Sequence, residues 1–359
     1  MKAIFAFCFL FFVTTISHAA EPVATTYDSA VLTEDVTWRG SILVKGFVVV
    51  APQATLRIDP GTVVRFAANA SQQIPKLVVQ GRIHAAGTIE RPIVLTSDRP
   101  GPSRGSWSGI VLLSTEKRNV LENCRIENAE TGIDLRFSTA TLKAVSIVQA
   151  QTALLSNDGV LQMTGGVISD SDTGIKILNS EFDGKDITVS SCQRGIVLNN
   201  SAVVLVSSKI INNQQTGLDA DGCRIKISGG DFSANALGVR IKGGEGQISM
   251  SRFLKNSQLA LHLSGSRIKI QRCLFAENGQ DALRAEDGRA LLLNNAFNSN
   301  GRYNLYNAGR EVVSALQNWW GATDPSLIRQ KIYDAIQDSN VGSVHVYPWL
   351  NEKPLLMPQ

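Results

Sequence analysis

Apolar and polar residues alternate in short stretches that recur along the middle of the chain. Each copy begins with a small or polar residue, continues with an apolar, variable, apolar triplet and ends at a turn residue. Ten copies begin at Ser108, Thr131, Thr152, Thr173, Arg194, Thr216, Leu237, Leu259, Asp281 and Tyr303. From Thr131 onward, successive copies are 21 or 22 residues apart. A fixed period of this length indicates a repeat protein in which each structural unit stacks on the next.

The alternation has a period of two, which is typical of β-strands that bury one face. The segments are too short and too often interrupted by glycine for amphipathic helices. Leucine-rich repeats have a similar length, but their fixed Leu and Asn spacing is absent, as is the Gly-Gly and Asp pattern of calcium-binding nonapeptide repeats. We therefore predict an all-β fold, a right-handed parallel β-helix with about 22 residues and three short strands per coil, and with coils about 4.8 Å apart.

Two residue types recur at the same period and predict ladders through the stacked coils. The aromatic set consists of Phe232, Phe253, Phe275 and Phe297, with Trp319 one step beyond. The amide set consists of Asn213, Asn235, Asn256, Asn278 and Asn300. Aromatic rings in register stack in the core, and Asn side chains at a turn bond to the coils above and below. Both ladders are predicted to be structural, because a chemical site uses a residue once rather than in every coil.

The chain divides into segments of different pattern. Before the repeats the alternation is stronger and Pro60-Gly61 marks a sharp turn, which predicts wider coils. We expect a signal peptide at 1–20, an N-terminal cap with wider coils at 21–107, regular coils at 108–321 and a C-terminal cap at 322–359.

The C-terminal segment is predicted to cover the last coil, which a solenoid would otherwise leave exposed. Asp324 and Pro325 have the pattern of a helix start, an N-cap followed by a first-turn proline. The apolar spacing then predicts a helix over 326–337, and the run HVYPWL predicts a final strand.

Several of these motifs together resemble a known family. The runs LRIDPGTVVRF, LVVQGRIHAAGT and PIVLTS, the regular coils and the NWWG…IYDAIQD…YPWL ending resemble the bacterial right-handed parallel β-helix repeat proteins of the pectin-lyase-like superfold. The resemblance covers nearly the whole chain beyond the first residues and implies the same fold. It implies no single activity, because that superfold includes polysaccharide lyases, glycoside hydrolases, epimerases, tailspikes and surface scaffolds.

The first residues predict export. Lys2 is followed by an apolar run from Ala3 to Ile16 and by small residues around Ala19, which is the layout of a secretory signal peptide. The apolar run is shorter than the roughly 20 residues of a spanning helix. We expect an exported protein, periplasmic or extracellular, with no membrane span in the mature chain.

The charge of the chain argues against two classes of partner. Lys and Arg number 35 against 31 Asp and Glu, and no long run of either sign occurs. We therefore expect neither nucleic acid nor an anionic membrane surface as partner. We also expect the protein to be a monomer.

The cysteines after residue 20 are Cys124, Cys192, Cys223 and Cys273. An even number in an exported protein suggests disulfides. The repeat register argues against them, because Cys124 and Cys273 share a place in the coil but lie about seven coils apart. Cys192 and Cys223 occupy different places, beyond the roughly 7 Å Cα separation that a bridge allows. We predict four unpaired, mostly buried thiols.

Candidate chemistry lies at the outward position of the first strand in each coil. This position holds, in order, Asp134, Leu155, Lys176, Val197, Asp219, Arg240, His262, Arg284 and Tyr306. Asp221 and Lys242 lie two residues beyond their neighbours in this series. A row of cations at strand spacing could follow an acidic sugar chain. The predicted substrate-binding residues are Asp219, Asp221, Arg240, Lys242, His262 and Arg284. The plainer interpretation is a solvated face on which Asp219 pairs with Arg240, worth under about 1 kcal/mol.

Three functions remain open. The chain is an exported, non-catalytic scaffold that binds or organises polysaccharide, a polysaccharide lyase or epimerase with Arg240 or Arg284 as base, or a purely structural surface protein. A polygalacturonase-like hydrolase is disfavoured, because the two Arg-Ile-Lys runs lack the paired carboxylates that the reaction needs.

We expect no cofactor. Asp219 and Asp221 could hold Ca²⁺ with Asn199 and Asn200, but calcium takes 6–8 oxygen ligands and no further carboxylate is close.

Overall fold

The computed structural model describes residues 24–99, 101, 103–113 and 117–354 of the 359-residue chain. The predicted signal peptide lies outside the described residues. Within them the chain forms parallel β-strands wound into a solenoid, with one short α-helix near the C-terminal end. No helix of the described part is long and apolar enough to cross a membrane.

The strands are short and follow one another without other elements between them. The first nine are β1 (Thr25–Leu32), β2 (Val36–Trp38), β3 (Ser41–Val50), β4 (Thr55–Ile58), β5 (Val63–Ala67), β6 (Lys76–Val79), β7 (Arg82–Ala86), β8 (Ile93–Ser97) and β9 (Trp107–Leu113). The next fourteen are β10 (Asn119–Glu122), β11 (Cys124–Glu127), β12 (Ala129–Arg136), β13 (Thr139–Lys143), β14 (Ser146–Val148), β15 (Thr152–Asn157), β16 (Val160–Thr164), β17 (Val167–Ser169), β18 (Thr173–Leu178), β19 (Glu181–Lys185), β20 (Thr188–Ser190), β21 (Arg194–Asn199), β22 (Ala202–Val206) and β23 (Lys209–Ile211).

The remaining strands and the helix complete the rod. They are β24 (Thr216–Asp221), β25 (Arg224–Ser228), β26 (Asp231–Ser233), β27 (Leu237–Lys242), β28 (Glu245–Ser249), β29 (Arg252–Leu254), β30 (Leu259–Ser264), β31 (Arg267–Gln271), β32 (Leu274–Ala276), β33 (Leu283–Glu286), β34 (Arg289–Leu293), β35 (Ala296–Asn298), β36 (Leu305–Asn307), β37 (Val313–Ser314), α1 (Pro325–Gln330), β38 (Ile332–Tyr333) and β39 (Val344–His345).

Each coil contributes one strand to each of three faces. The first face contains β12, β15, β18, β21, β24, β27, β30, β33, β36 and β38; the second contains β11, β14, β17, β20, β23, β26, β29, β32 and β35. The third face is a separate 14-stranded sheet that includes β25, β28, β31 and β34. Near the N-terminal end β3 pairs with both β5 and β6 and so joins the first two faces. The predicted all-β parallel solenoid is confirmed.

The core lies inside the coils, where the inward residues of all three faces meet. Phe232, Phe253, Phe275 and Phe297 stack in the predicted order, with ring centroids 4.6–5.2 Å apart. The next ring in the stack is Trp320, 4.7 Å from Phe297, and the prediction of Trp319 was wrong. The coil between Asn295 and Asn318 is one residue longer than the others. These two residues pair although they are 23 residues apart, rather than 21 or 22.

The predicted Asn ladder forms a buried hydrogen-bonded column at the corner before the first face. In each step a backbone N–H donates to the Asn Oδ1 of the next coil at 2.9–3.2 Å, from Cys192 through Asn213 to Asn300. The Asn Nδ2 groups also donate to backbone carbonyls, as Asn256 does to Phe232 at 2.9 Å. A second such ladder, which the sequence reasoning missed, links Cys273, Asn295 and Asn318. These bonds satisfy backbone groups that the tight corners would otherwise leave buried and unpaired.

The four described cysteines are free and buried, as predicted. Burial raises the pKa of the Cys124 and Cys273 thiols to about 12 and that of Cys192 to about 11. Cys223, at the corner between the first and third faces, also has a raised pKa for the same reason. All four therefore behave as small apolar residues at neutral pH.

The C-terminal cap differs from the prediction in the length of its helix and in its final strand, which covers only Val344 and His345 instead of the run HVYPWL. Asp324 caps the helix by accepting a hydrogen bond from the Ser326 backbone, and Pro325 is its first residue, as expected. The helix ends at Gln330 instead of 337. Ile332 and Tyr333 then form β38, paired with Leu305 and Tyr306 of the first face. Burial of Ile332 against the open last coil outweighs the helical spacing of this segment.

Candidate functional site

The outward residues of the first face form one continuous column. Strand pairing places Asp219 beside Arg240, Arg240 beside His262, and His262 beside Arg284. We call these four residues the polar column. Two residues further along each strand, a second column contains Asn199, Asp221, Lys242, Ser264 and Glu286. Adjacent members are therefore separated by one strand spacing, about 4.8 Å.

The alternation of each strand turns these side chains outward. In β24 and β27 the residues on either side of the polar column, Leu218, Ala220, Val239 and Ile241, are fully buried. A slip of one residue would bury charges and expose the core, so the register is strongly fixed. The structure brings all six predicted site residues onto this one face.

Five of the six predicted residues line a shallow cleft of about 410 Å³. Arg284 lies one coil beyond it. The cleft runs across four coils and combines charged side chains with an apolar patch; its lining residues are Val197, Leu198, Asn199, Asp219, Asp221, Arg240, Lys242, His262 and Ser264.

The cleft carries ion pairs between adjacent coils. Arg240 donates from Nε to Asp219 Oδ1 at 2.8 Å and from Nη2 to the other carboxylate oxygen, which makes the pair bidentate. This hydrogen bonding raises the pKa of Arg240. Lys242 Nζ lies 3.4 Å from Asp221 Oδ2. The predicted pairing of Asp219 with Arg240 is therefore present, but the side chains of Arg240 and Lys242 remain 48% and 70% exposed and accessible to a ligand.

Glu286 is a site residue that the sequence reasoning missed. Arg284 Nε donates to Glu286 Oε1 at 2.7 Å, so the last cation of the polar column is also paired. The signal was available, because Glu286 continues the series through Asp221 and Lys242 at the same period.

His262 has the least satisfied polar atom of the column. Its Nε2 lies 3.3 Å from Glu286 Oε2, but the two atoms are not aligned for a hydrogen bond. This buried ring nitrogen therefore has no hydrogen-bond partner among the described residues.

Tyrosines close the C-terminal end of the column. Tyr306, the next residue in register after Arg284, stacks on Tyr333 with centroids 4.4 Å apart. The guanidinium of Arg284 lies 4.9 Å from the Tyr306 ring centre, and that of Arg302 lies 5.2 Å away. Cation–π contacts thus hold this end of the column, and the rings continue the outward series as a stack.

The carboxylates in the cleft are already engaged. Asp219 and Asp221 each contact a cation from the next coil. Across the described ranges of the chain, no group of three or more His, Cys, Asp or Glu side chains is placed to share a metal ion. The arrangement suits hydrogen bonding and charge contacts with a ligand more than metal coordination.

Two sequence families match the chain. The family described as a pectate-lyase like beta helix domain matches residues 30–137, and the family described as a right handed beta helix region matches residues 166–319. Together with the parallel solenoid, these matches make the chain a right-handed parallel β-helix repeat protein of the pectate-lyase-like fold. No curated protein sequence matches it.

Several solved structures align with the chain. A variant of the periplasmic alginate epimerase AlgG aligns with a TM-score of 0.57 at 10% identity, covering 87% of this chain and 77% of that chain. The A-module of the Azotobacter vinelandii mannuronan C-5 epimerase AlgE4 aligns at 0.41 and 10% identity, covering 92% and 91%. The catalytic unit of a GH87 alpha-1,3-glucanase from Streptomyces thermodiastaticus aligns at 0.44 and 11% identity, covering 89% and 64%. At 10% identity the likeness to AlgG establishes the fold alone.

Proposed function

We propose that this protein is an exported, non-catalytic rod that binds polysaccharide along its first face, with the polar column and second column as the contact surface. The observation that carries the proposal is the cleft of about 410 Å³, which lies over Asp219, Asp221, Arg240, Lys242 and His262. A glycan chain is long and narrow, and the cleft lies across successive coils of a rod.

The chemistry of the cleft suits sugars. Its paired charges present donors and acceptors held at strand spacing, so sugar hydroxyls meet preformed partners. The exposed ends of Arg240 and Lys242 can also contact a uronate carboxylate, and the guanidinium can do so with two hydrogen bonds. The alginate epimerase AlgG carries the same fold, and its name refers to a polysaccharide.

The electrostatics argue against Arg240 as a catalytic base. A base must lose its proton near the working pH, which requires a lowered pKa. The bidentate contact with Asp219 raises the pKa of Arg240 instead. The guanidinium therefore stays charged, which suits binding.

The test is retention on a panel of acidic and neutral polysaccharides, with and without Ca²⁺. The double variant Arg240→Ala, Lys242→Ala should weaken retention by about tenfold for each cation that contacts the polymer. The matched control is Lys143→Ala, Lys185→Ala, which removes two exposed cations from the third face. Unchanged retention in the first variant, or equal loss in both, would contradict the assignment. No retention of the unmodified protein on any polymer would favour the structural surface protein.

One observation favours a second candidate, a polysaccharide lyase or epimerase. The His262 ring lines the cleft, and its buried Nε2 lies 3.3 Å from Glu286 Oε2, which belongs to the carboxylate that Arg284 contacts. An imidazole in this position could remove a proton next to a uronate carboxylate held by Arg284. A lyase would produce unsaturated uronates that absorb ultraviolet light, and an epimerase would exchange a sugar hydrogen for solvent deuterium. His262→Gln should abolish either signal while retention on the polymer persists. With neither signal in the unmodified protein, the catalytic candidate fails.

A further inference from the structure

The outward side chains of four neighbouring strands on the third face form a concentrated patch of positive charge. We call it the basic patch; its members are Arg224, Lys226, Arg267, Lys269 and Arg289. The outward positions of these strands, β25, β28, β31 and β34, contain a single acid, Glu245. The patch is independent of the polar column, which lies on the first face.

The cations of the basic patch are largely unpaired. Glu245 approaches Arg224 only to 3.8 Å, and the two side chains are 61% and 78% exposed. The charged ends of Lys226, Arg267, Lys269 and Arg289 have no ion-pair or hydrogen-bond partner within residues 24–99, 101, 103–113 and 117–354. This differs from the first face, where each cation of the cleft meets an acid of a neighbouring coil.

Strand register also brings like charges together. Arg267 and Arg289 are direct neighbours on β31 and β34. Their backbones lie about one strand spacing apart, so the two like charges repel each other. Glu245, the register neighbour of Arg267 on the other side, contacts Arg224 instead, and no described acid forms an ion pair with Arg267 or Arg289. Such an arrangement is stabilised by an external anion that contacts both.

The distribution of charge selects the kind of anion. Along the rod, Glu245 separates Arg224 from Arg267, and Gln247 separates Lys226 from Lys269. A polymer chain following the Lys226 column would therefore meet cations only in alternate coils. Along the Arg224 column it would pass Glu245 before it reached the adjacent Arg267 and Arg289. The same cations form a two-dimensional array on a sheet, two per strand on β25 and β31. Half-buried Leu291 and Leu293 border the array on β34.

We propose that the basic patch docks the rod on an anionic membrane surface, with phospholipid phosphates as the groups that Arg267 and Arg289 share. A lipid surface is itself a two-dimensional array of negative charges, and each basic residue close to it adds to the affinity. In this orientation the polar column, which lies on a different face, takes no part in the contact with lipid.

The experiment is sedimentation of the purified protein with phosphatidylcholine vesicles that contain phosphatidylglycerol, beside vesicles of phosphatidylcholine alone. We expect binding only to the anionic vesicles and release at raised salt. The triple variant Lys226→Gln, Arg267→Gln, Lys269→Gln should lower the partition coefficient on the order of 100-fold, at roughly fivefold per cation. The matched control Arg118→Gln, Lys143→Gln, Lys185→Gln removes three charges from another part of the third face and should bind nearly as well as the unmodified protein.

Two further measurements keep the outcome decisive. Arg267→Lys, Arg289→Lys retains the charge and should retain binding, and thermal unfolding of every variant separates loss of binding from loss of fold. Absence of binding to anionic vesicles, or equal loss in both triple variants, overturns the proposal. So does capture of soluble polygalacturonate through the basic patch by a protein that ignores the vesicles, because the partner is then a polymer.

Discussion

The first and third faces of the same four coils use charge in opposite ways. On the first face, strand pairing places Asp219 beside Arg240 and Asp221 beside Lys242. On the third face, it places Arg267 beside Arg289 and leaves Lys226 and Lys269 without acids. Both faces share one core and one spacing, so the fold does not cause the difference. In a solenoid, the outward residues of one strand lie beside those of the strand in the next coil. Each face can therefore have its own pattern of charge and its own ligand.

The largest expected effect lies in the core that both faces share. Phe275 is fully buried between Phe253 and Phe297. Phe275→Ala should lower the free energy of unfolding by about 3–5 kcal/mol, because it removes stacking and leaves a cavity. Urea unfolding measures this. Phe137→Ala, at a ring that is 63% exposed, is the control and should change stability little. A small loss at Phe275 would mean that the ladder does not hold the faces together.

Alkaline pH should lower the free energy of unfolding through the buried thiols. Burial raises the pKa of Cys124 and Cys273 from 9.0 to about 12 in the folded protein. Above pH 9 the unfolded chain releases these protons and the folded chain does not, so stability is complete below that pH and falls as the pH approaches 12. Cys273→Ala should flatten the decline measured by urea unfolding. An unchanged slope would show that Cys273 does not carry the effect.

Reactivity of the thiols gives a direct check of the same burial. The folded protein should react slowly with a thiol reagent at neutral pH. After unfolding without a reductant, all four thiols should react, those of Cys124, Cys192, Cys223 and Cys273. Fewer reactive thiols after unfolding would reveal a disulfide and contradict the register.

The smallest expected effects separate the two faces. Asp219→Asn removes the partner of Arg240 and should cost under about 1 kcal/mol, because the pair is partly exposed. Glu245→Gln removes the one acid among the cations of the third face and should leave stability nearly unchanged, since its contact with Arg224 is long and exposed. The two unfolding curves, compared at low and high salt, measure this difference. Equal losses would mean that the Asp219–Arg240 pair stabilises the fold no more than the long contact between Glu245 and Arg224.

Periodicity made most of the fold predictable. The outward positions of the polar column follow from alternation and a constant step, and the structure pairs them in that order. The prediction failed where the step changed. One extra residue before Asn318 moves Trp320 into the stack instead of Trp319, and only alignment on Asn295 and Asn318 would have revealed it.

The remaining differences depend on contacts that periodicity does not encode. The helix beginning at Pro325 is shorter than its apolar spacing predicts, because Ile332 and Tyr333 gain more by pairing with the last coil. The unpaired state of the basic patch was likewise hidden, since the sequence analysis considered its two Arg-Ile-Lys runs only as a hydrolase-like motif without the paired carboxylates. Whether such cations form ion pairs depends on which side chains the strand register places beside them in the neighbouring coils.

The central claim is that the two faces bind different partners, and one paired measurement tests it most directly. Arg240→Ala, Lys242→Ala on the first face and Lys226→Gln, Lys269→Gln on the third each remove two cations. Both variants are assayed for retention on polysaccharide and for sedimentation with anionic vesicles. We predict that the first variant loses polysaccharide retention and keeps vesicle binding, and that the second does the reverse. Loss of both activities in each variant, or of neither in both, would contradict the account.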